Sequence, residues 1–392
     1  MEITHSEFGN GAQHRAQRTV GTRRVIWAFV WLWALPVSAA SPRSHPKRLT
    51  PAVGQRIIER KFMMRPYNEL TMTGKIRRLR QLALKALEKY DLCIEWVKFL
   101  TIATNTMFLI RTADGGKFVL RIYSDEETTL KENQAEMFWL DTLKRDTNLK
   151  VTEPIACRNG EYINIVSVPS VPDERRCVLF KWIPGQTLEN HLSSENYYKY
   201  GQLLAKLHDH ASTLKPLPAH IQPKKWNKVF YYPDEPVVYD IPEYSYLFPL
   251  ERVELVKKVI VHADDVFARL FEDKDGQILI HGDLHYRNVH FYRGELYALD
   301  FEDVNLGYPV QDIAVTLYYG RQHDGYNEWK AAFKQGYCSV KRWPTEGERT
   351  IETLMAARSV MFINYVARIN PSPQEYIEKR CEELVRFLKT YG

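Results

Sequence analysis

The segments HGDLHYRN (residues 281–288) and ALDFED (298–303) constrain the fold of this chain more than any other part of its sequence. An apolar run precedes the first segment. Two further apolar runs, which are joined by an Arg-Gly turn, lie between the first segment and the second. This pattern predicts strands with tight connections, which would let Asp283, Asn288 and Asp300 face one space. A carboxylate beside a hydroxyl, with an amide and a second carboxylate around a hard cation, is what phosphoryl transfer requires.

The charge of the chain is concentrated at its N-terminal end. Residues 1–71 hold 11 of the 54 Lys and Arg but only 4 of the 48 Asp and Glu, which leaves a net charge of −1 for the rest. The remaining chain therefore has no basic surplus of the kind that nucleic-acid binding requires, and we expect no nucleic-acid partner.

The N-terminal extension resembles a targeting signal. Residues 23–40 combine two arginines, a short apolar run and small residues, which is typical of a secretory signal. Helical periodicity begins only after residue 71, so Met63, Met64 or Met72 could be the true start. Phosphoryl transfer from a nucleotide would need a nucleotide pool, and the five cysteines include no CxxC pair. We therefore expect a cytoplasmic protein with residues 1–71 outside the fold and no stable membrane association of the folded body.

The remaining chain divides into a strand-rich part and a helical part. Hydrophobic periodicity predicts a first helix, then a small sheet with one long helix, and then a series of helices from residue 185 onward. The predicted strands are 94–101, 106–112, 117–123, 161–168 and 176–182. The predicted helices are 73–91, 128–145, 195–214, 250–271, 309–319, 328–338, 347–369 and 373–390.

This arrangement, with HGDLHxxN followed by DFxD, resembles the aminoglycoside phosphotransferase and choline kinase-like families across residues 75–390. The resemblance implies an α+β, two-lobed protein-kinase-like fold. Its small antiparallel-sheet lobe would span residues 72–184 and bind the nucleotide, and its mainly helical lobe would span 185–392. It also implies a small-molecule kinase that uses ATP or GTP and Mg²⁺; the oligomeric state stays open.

The resemblance assigns roles in the transfer to three polar residues. Asp283 matches the catalytic aspartate that accepts or orients the proton of the substrate hydroxyl. Asn288 and Asp300 match the two metal ligands. These roles suit a reaction that depends mainly on positioning and on neutralising phosphate charge.

Five further residues match nucleotide-binding positions. Arg121 stands where the family pairs a basic side chain with phosphate, and Glu136 matches its helix partner. The backbone of Lys181 and Ile183 would meet the base at the hinge between the lobes, and Asn105 matches a frequent position of the phosphate loop. That loop, residues 100–106, has no glycine here, which predicts either a looser phosphate cradle or cover of the phosphates by the Thr101 and Thr104 hydroxyls.

Other functions compete with this interpretation. His281, His285 and His290 could bind zinc in a hydrolase, although Asn288 and Asp300 would then have no explanation. A protein Ser/Thr kinase of the same fold is a second alternative. The glycine-free loop makes a non-catalytic, pseudokinase-type binding protein a third.

The sequence indicates less about the phosphate acceptor than about the reaction. Glu302 and Asp303 directly follow Asp300, and residues 230–248 mix acids with tyrosines. Acids among aromatic rings suit an amine-bearing alcohol such as an aminoglycoside, an amino alcohol or a homoserine-like compound, and a solvated loop is the alternative. We expect Asp312 to be a structural partner of residues 281–288.

Overall fold

The computed structural model describes residues 65–124, 128–232 and 235–392, so the signal-like stretch 23–40 lies outside the described residues. The first part of the fold is an antiparallel sheet. Its six strands are β1 (Ile94–Ile102), β2 (Thr106–Thr112), β3 (Lys117–Ile122), β4 (Pro154–Ile155), β5 (Asn164–Val166) and β6 (Arg175–Lys181). The order is β1-β2-β3-β6-β4, with β5 also paired to β6.

Two helices pack with this sheet. They are α1 (Met72–Leu87) and α2 (Leu130–Asp146). The Thr129 side chain accepts a hydrogen bond from the backbone N–H of Glu132, and the Glu132 carboxylate accepts one from the backbone N–H of Thr129. Two N–H groups at the start of α2 that have no partner within the helix are thereby hydrogen-bonded. α1 and the sheet share a hydrophobic core, whereas α2 contributes Met137, Trp139 and Leu140 to the larger core of the helical part.

The second part of the fold is mainly helical. It contains α3 (Ser194–Thr213), α4 (Leu250–Glu272), α5 (Pro309–Gly320), α6 (Tyr326–Cys338), α7 (Gly347–Ile369) and α8 (Gln374–Tyr391). Short strands carry the loops of the site: β7 (Gln186–Thr187), β8 (Ile278–Ile280), β9 (Val289–Tyr292), β10 (Glu295–Ala298) and β11 (Asn305–Gly307). The strands and helices that periodicity predicts are present, with boundaries that shift mostly by a few residues. None of the described helices is long and apolar enough to cross a membrane.

Candidate active site

The segment 281–288 lies between β8 and β9, and its first residues are held by a buried carboxylate. Asp312, near the start of α5, accepts hydrogen bonds from the backbone N–H groups of His281 and Gly282, each at 2.7 Å. Gly282 has φ of +80°, and a β-carbon there would collide with the carbonyl oxygen of Asp303. A glycine is therefore required directly before Asp283, which is almost fully buried.

Asp312 is itself fixed by a second buried contact. His208 of α3 lies 3.0 Å from Asp312 through Nε2, and its Nδ1 lies 2.9 Å from the hydroxyl of Tyr337. Burial acts to raise the pKa of Asp312, but the His208 and backbone hydrogen bonds outweigh it and hold the pKa below its usual value. Asp312 is therefore a structural partner of the loop, as the sequence predicts.

Asp300 closes the site from the end of β10 and meets the N-terminal sheet. Its backbone is left-handed, with φ of +64°. Arg121 of β3 donates to Asp300 at 3.0 Å and to Glu136 of α2 at 2.9 Å, and Tyr123 donates to the second oxygen of Glu136 at 2.7 Å. Burial raises the pKa of Asp300 to about 6, although Arg121 opposes this shift.

The glycine-free loop is joined to the other part of the fold through Asn105. Its amide nitrogen donates to Glu302 at 2.5 Å, and its amide oxygen accepts the backbone N–H of Ser124 at 3.2 Å. Glu302 is buried, and burial raises its pKa to about 8. Asn105 therefore contacts the segment beside Asp300, and Glu302 is largely protonated at neutral pH.

The predicted hinge follows β6. The backbone N–H of Lys181 donates to the backbone carbonyl of Glu153 at 2.9 Å. The ammonium group of Lys181 is exposed and lies 3.6 Å from the carboxylate of Glu153. The N–H and the ammonium group of Lys181 therefore both lie against Glu153. Ile183 lies beyond the end of β6, two residues before Gly185, whose φ is +105°.

A residue that sequence reasoning missed contacts Asp283 directly. Arg358, in the middle of α7, donates from Nη2 to Oδ1 of Asp283 and to the hydroxyl of Tyr319, the latter at 2.9 Å. The periodicity of α7 contained the signal, because Arg358 stands on its apolar face between Leu354 and Phe362, a position that normally holds a core side chain.

The two acidic residues after Asp300 lie in different surroundings. Unlike Glu302, Asp303 is ion-paired with Lys224 at 2.5 Å and accepts from the hydroxyl of Tyr232 at 3.3 Å. Burial acts to raise the pKa of Asp303, but Lys224 outweighs it and the pKa is lowered. Asp303 is therefore ionised, and Lys224 is a second residue that sequence reasoning missed.

Comparison with known proteins identifies the family. Residues 96–350 match the model of the "Phosphotransferase enzyme family", which is well over half of the chain. The chain belongs to this phosphotransferase family. It is therefore a kinase that transfers phosphate to an alcohol group. Amicoumacin kinase of Bacillus subtilis strain 168 is 25% identical over 246 residues, which cover 61% of this chain and 67% of that protein.

Solved structures confirm the fold expected of a member of this phosphotransferase family. An amicoumacin kinase in complex with AMP-PNP and Ca²⁺ aligns with a TM-score of 0.63 at 19% identity, over 82% of this chain and 97% of that chain. A microcompartment-associated aminopropanol kinase gives 0.64 at 19% identity, over 80% and 98%. A choline kinase of Cryptosporidium parvum gives 0.54 at 14% identity, over 80% and 96%. The α+β, protein-kinase-like prediction is confirmed.

The donor set of this family member fits a hard divalent cation held jointly with phosphate. Asn288 donates its amide N–H to the backbone carbonyl of Asp283 at 2.9 Å, which leaves its amide oxygen without a donor among the described residues. One oxygen of Asp300 is likewise free of a partner there. One amide and one carboxylate are few for a metal site made by protein alone, but they suit Mg²⁺, which takes its other ligands from phosphate and water.

The histidines of the loop serve its structure in this phosphotransferase. His281 donates from Nε2 to the carbonyl of Leu299 at 2.9 Å, and its Nδ1 lies 3.4 Å from the backbone nitrogen of Asp283. His285 accepts the backbone N–H of Arg287 at Nδ1. Among the described residues no cluster of three or more His, Cys, Asp or Glu could hold a metal.

Proposed function

We propose that this protein is an ATP-dependent small-molecule kinase that transfers the γ-phosphate to a hydroxyl of an amine-bearing acceptor. The observation that carries the proposal is the packing of Asp283 between Asn288 and Arg358, with Asp300 close enough to influence its pKa. ATP is proposed over GTP because the related amicoumacin kinase structure holds AMP-PNP.

We assign the nucleotide and metal to residues on the sheet side of the site. Arg121, oriented by Glu136, would hold phosphate oxygens. The backbone of Lys181 and Ile183 would contact the base, and Asn105 would position the phosphate loop. Asn288 and Asp300 would hold Mg²⁺, which when bound neutralises charge on the phosphate groups.

We assign Asp283 to the acceptor hydroxyl. Burial raises its pKa to about 8, opposed by Arg358, so its affinity for a proton is far higher than that of an exposed aspartate. A carboxylate with a pKa near the working pH suits a residue that accepts or orients a hydroxyl proton. Arg358 would keep Asp283 in one orientation.

The amine of the acceptor is assigned to Asp303. Oδ1 of Asp303 accepts hydrogen bonds from the ammonium group of Lys224 and from the hydroxyl of Tyr232, while Oδ2 has no partner among the described residues. The hydroxyl of Tyr232 bonds the same carboxylate, and its ring lies 5.5 Å from Nζ of Lys224, so the ring is already beside one cation and could attract a second. Glu302, the other acid predicted for this role, is a weaker candidate because it is buried, largely protonated and bonded to Asn105.

The experiment is a screen of hydroxylated amines for phosphate acceptance from labelled ATP with Mg²⁺. Asp283→Asn should lower transfer by orders of magnitude and leave ATP binding largely intact. Asp265→Asn, a change at an exposed position of α4, is the matched control and should leave both unchanged. Undiminished turnover in Asp283→Asn would remove Asp283 from this role.

A further inference from the structure

Arg358 is a buried cation on the acceptor side of the site, and its hydrogen bonding is incomplete. It is 3% exposed. Nη2 alone makes both of its hydrogen bonds, to Asp283 and Tyr319. Nε is buried without a partner, and Nη1 donates to no group in the described part of the chain. Buried polar groups are normally paired. Because Nε of Arg121, Arg368 and Arg380 is also buried without a partner among the described residues, it is the position of Arg358 against Asp283 that makes it a candidate for binding a ligand.

The position of Arg358 distinguishes an acceptor contact from a phosphate contact. Oδ1 of Asp283 receives Arg358, whereas Oδ2 lies 3.4 Å from Nδ2 of Asn288. Arg358 thus meets a different oxygen of Asp283 from the one that faces the proposed metal ligand. The phosphate candidate Arg121 lies instead on β3, beside Glu136 and the proposed metal ligand Asp300.

The surroundings of Arg358 are aromatic. Its guanidinium carbon lies 5.4 Å from the ring centre of Tyr319 and 5.2 Å from that of Phe362. Burial acts to lower the pKa of Arg358, but Tyr319, Asp283 and Tyr231 raise it well above its usual value. The side chain is therefore a permanent positive charge, packed against aromatic rings and paired with Asp283.

We infer that Arg358 binds a carboxylate of the acceptor, so that the physiological substrate is a hydroxylated amino acid rather than a simple amino alcohol. The inference rests on the proposed function. Asp303 would bind the amine, Arg358 the carboxylate and Asp283 the hydroxyl. A guanidinium group matches a carboxylate well, since its N–H donors form charge-assisted hydrogen bonds with the carboxylate oxygens.

Pairs of acceptors that differ only by the carboxylate test this inference. We would compare L-threonine with 1-aminopropan-2-ol, L-serine with ethanolamine, and L-homoserine with 3-aminopropan-1-ol. In the wild-type enzyme the acid of at least one pair should have a kcat/KM about 10- to 100-fold higher, as a hydrogen bond to a charged group would give. The ratio within a pair cancels any general effect of a substitution on Asp283.

Substitutions assign the preference to its residue. Arg358→Gln should bring the ratio close to one, mainly by raising KM for the acid, and Arg358→Lys should keep part of it. Arg368→Gln is the matched control: Arg368 is a second largely buried arginine of α7 whose Nε also lacks a partner among the described residues, and it pairs with Glu235 at 2.8 Å rather than with Asp283. It should leave the ratio unchanged, and an equal loss of preference in this variant would overturn the role of Arg358.

The outcomes separate the two proposals. Phosphorylation of amino alcohols without the acids, or with no preference for them, overturns the carboxylate site and leaves the kinase intact. Magnesium-dependent formation of ADP and a phosphorylated acceptor, lost in Asp283→Asn, reports the proposed function by itself. If no such turnover occurs with any acceptor, the proposed function and this inference fall together.

Discussion

Replacement of Asp312 tests how the fold positions the catalytic loop. The Asp312 carboxylate is fully buried and accepts three hydrogen bonds, with Gly282 on Oδ1 and with His281 and His208 on Oδ2. Asp312→Asn keeps the shape of the side chain but turns one oxygen into an N–H donor. With the remaining oxygen toward His281 and His208, the new amide group would face the N–H of Gly282, so two donors would meet.

The contacts set the size of the effect. A hydrogen bond to a charged group contributes about 1.5–3 kcal/mol, and a buried donor left unpaired costs about 1–3 kcal/mol. We therefore expect Asp312→Asn to lower the free energy of unfolding by about 2–4 kcal/mol. Asp312→Ala, which leaves three donors unpaired, should cost about 4–5 kcal/mol, near the upper range for breaking a buried charged pair. Turnover should also fall, about 10- to 100-fold, since Asp283 follows the two bonded amides.

Urea unfolding followed by fluorescence measures the change in stability, and hydrogen exchange at the amides of His281 and Gly282 reports the loop itself. Both amides should lose protection in Asp312→Asn beyond the global loss of stability. Asp265→Asn, at an exposed position, provides the control. A change within about 0.5 kcal/mol, which is ordinary for a surface substitution, would refute the view that Asp312 holds this loop.

Further predictions concern the nucleotide, the metal and the loop that contains residues 235–238. Asp300→Ala should abolish magnesium-dependent ATP binding in calorimetry, and an unchanged affinity would contradict the metal assignment. Because burial raises the pKa of Asp300 to about 6, its carboxyl is protonated below that pH. The magnesium-dependent affinity for ATP should therefore fall about tenfold per pH unit below about pH 6. A flat affinity profile from pH 5 to 8 would be inconsistent with this. Asn105→Ala removes the donor to Glu302, so KM for ATP should rise about tenfold with little change for the acceptor, whereas an effect on the acceptor alone would count against the assignment. Asn364→Ala removes the acceptor for the backbone N–H of Val238 at 2.7 Å; protease should then cut residues 235–238 faster, and equal rates would exclude this anchoring role.

Local pattern was sufficient for the elements of the fold. Helical and strand periodicity follow from which side chains face the core, and this information lies within a few residues. The catalytic segment is also local, because Asp283 and Asn288 share one loop and Asp300 follows the next hairpin. The assignment of Arg121 to Glu136 needed the family resemblance, since a lone arginine on a strand has no local signature.

The residues proposed to recognise the acceptor could not be predicted from local sequence pattern in this way. Sequence reasoning grouped Glu302 with Asp303 because they are neighbours. In the structure Glu302 meets Asn105 across 197 positions of sequence, and Asp303 meets Lys224 across 79. Adjacent side chains of a short turn point in different directions, so proximity in sequence did not predict a shared role.

The sequence by itself therefore determined the reaction class, since the polar groups for phosphoryl transfer lie in two short segments with a recognisable spacing. Only the tertiary structure decided which charges surround Asp283. Arg358 reaches Asp283 from 75 positions away, on a helix that packs against α5 and α4. The packing of elements that are distant in sequence determines which partner a buried charge meets. The contact persists because leaving that charge unpaired would cost a large free energy.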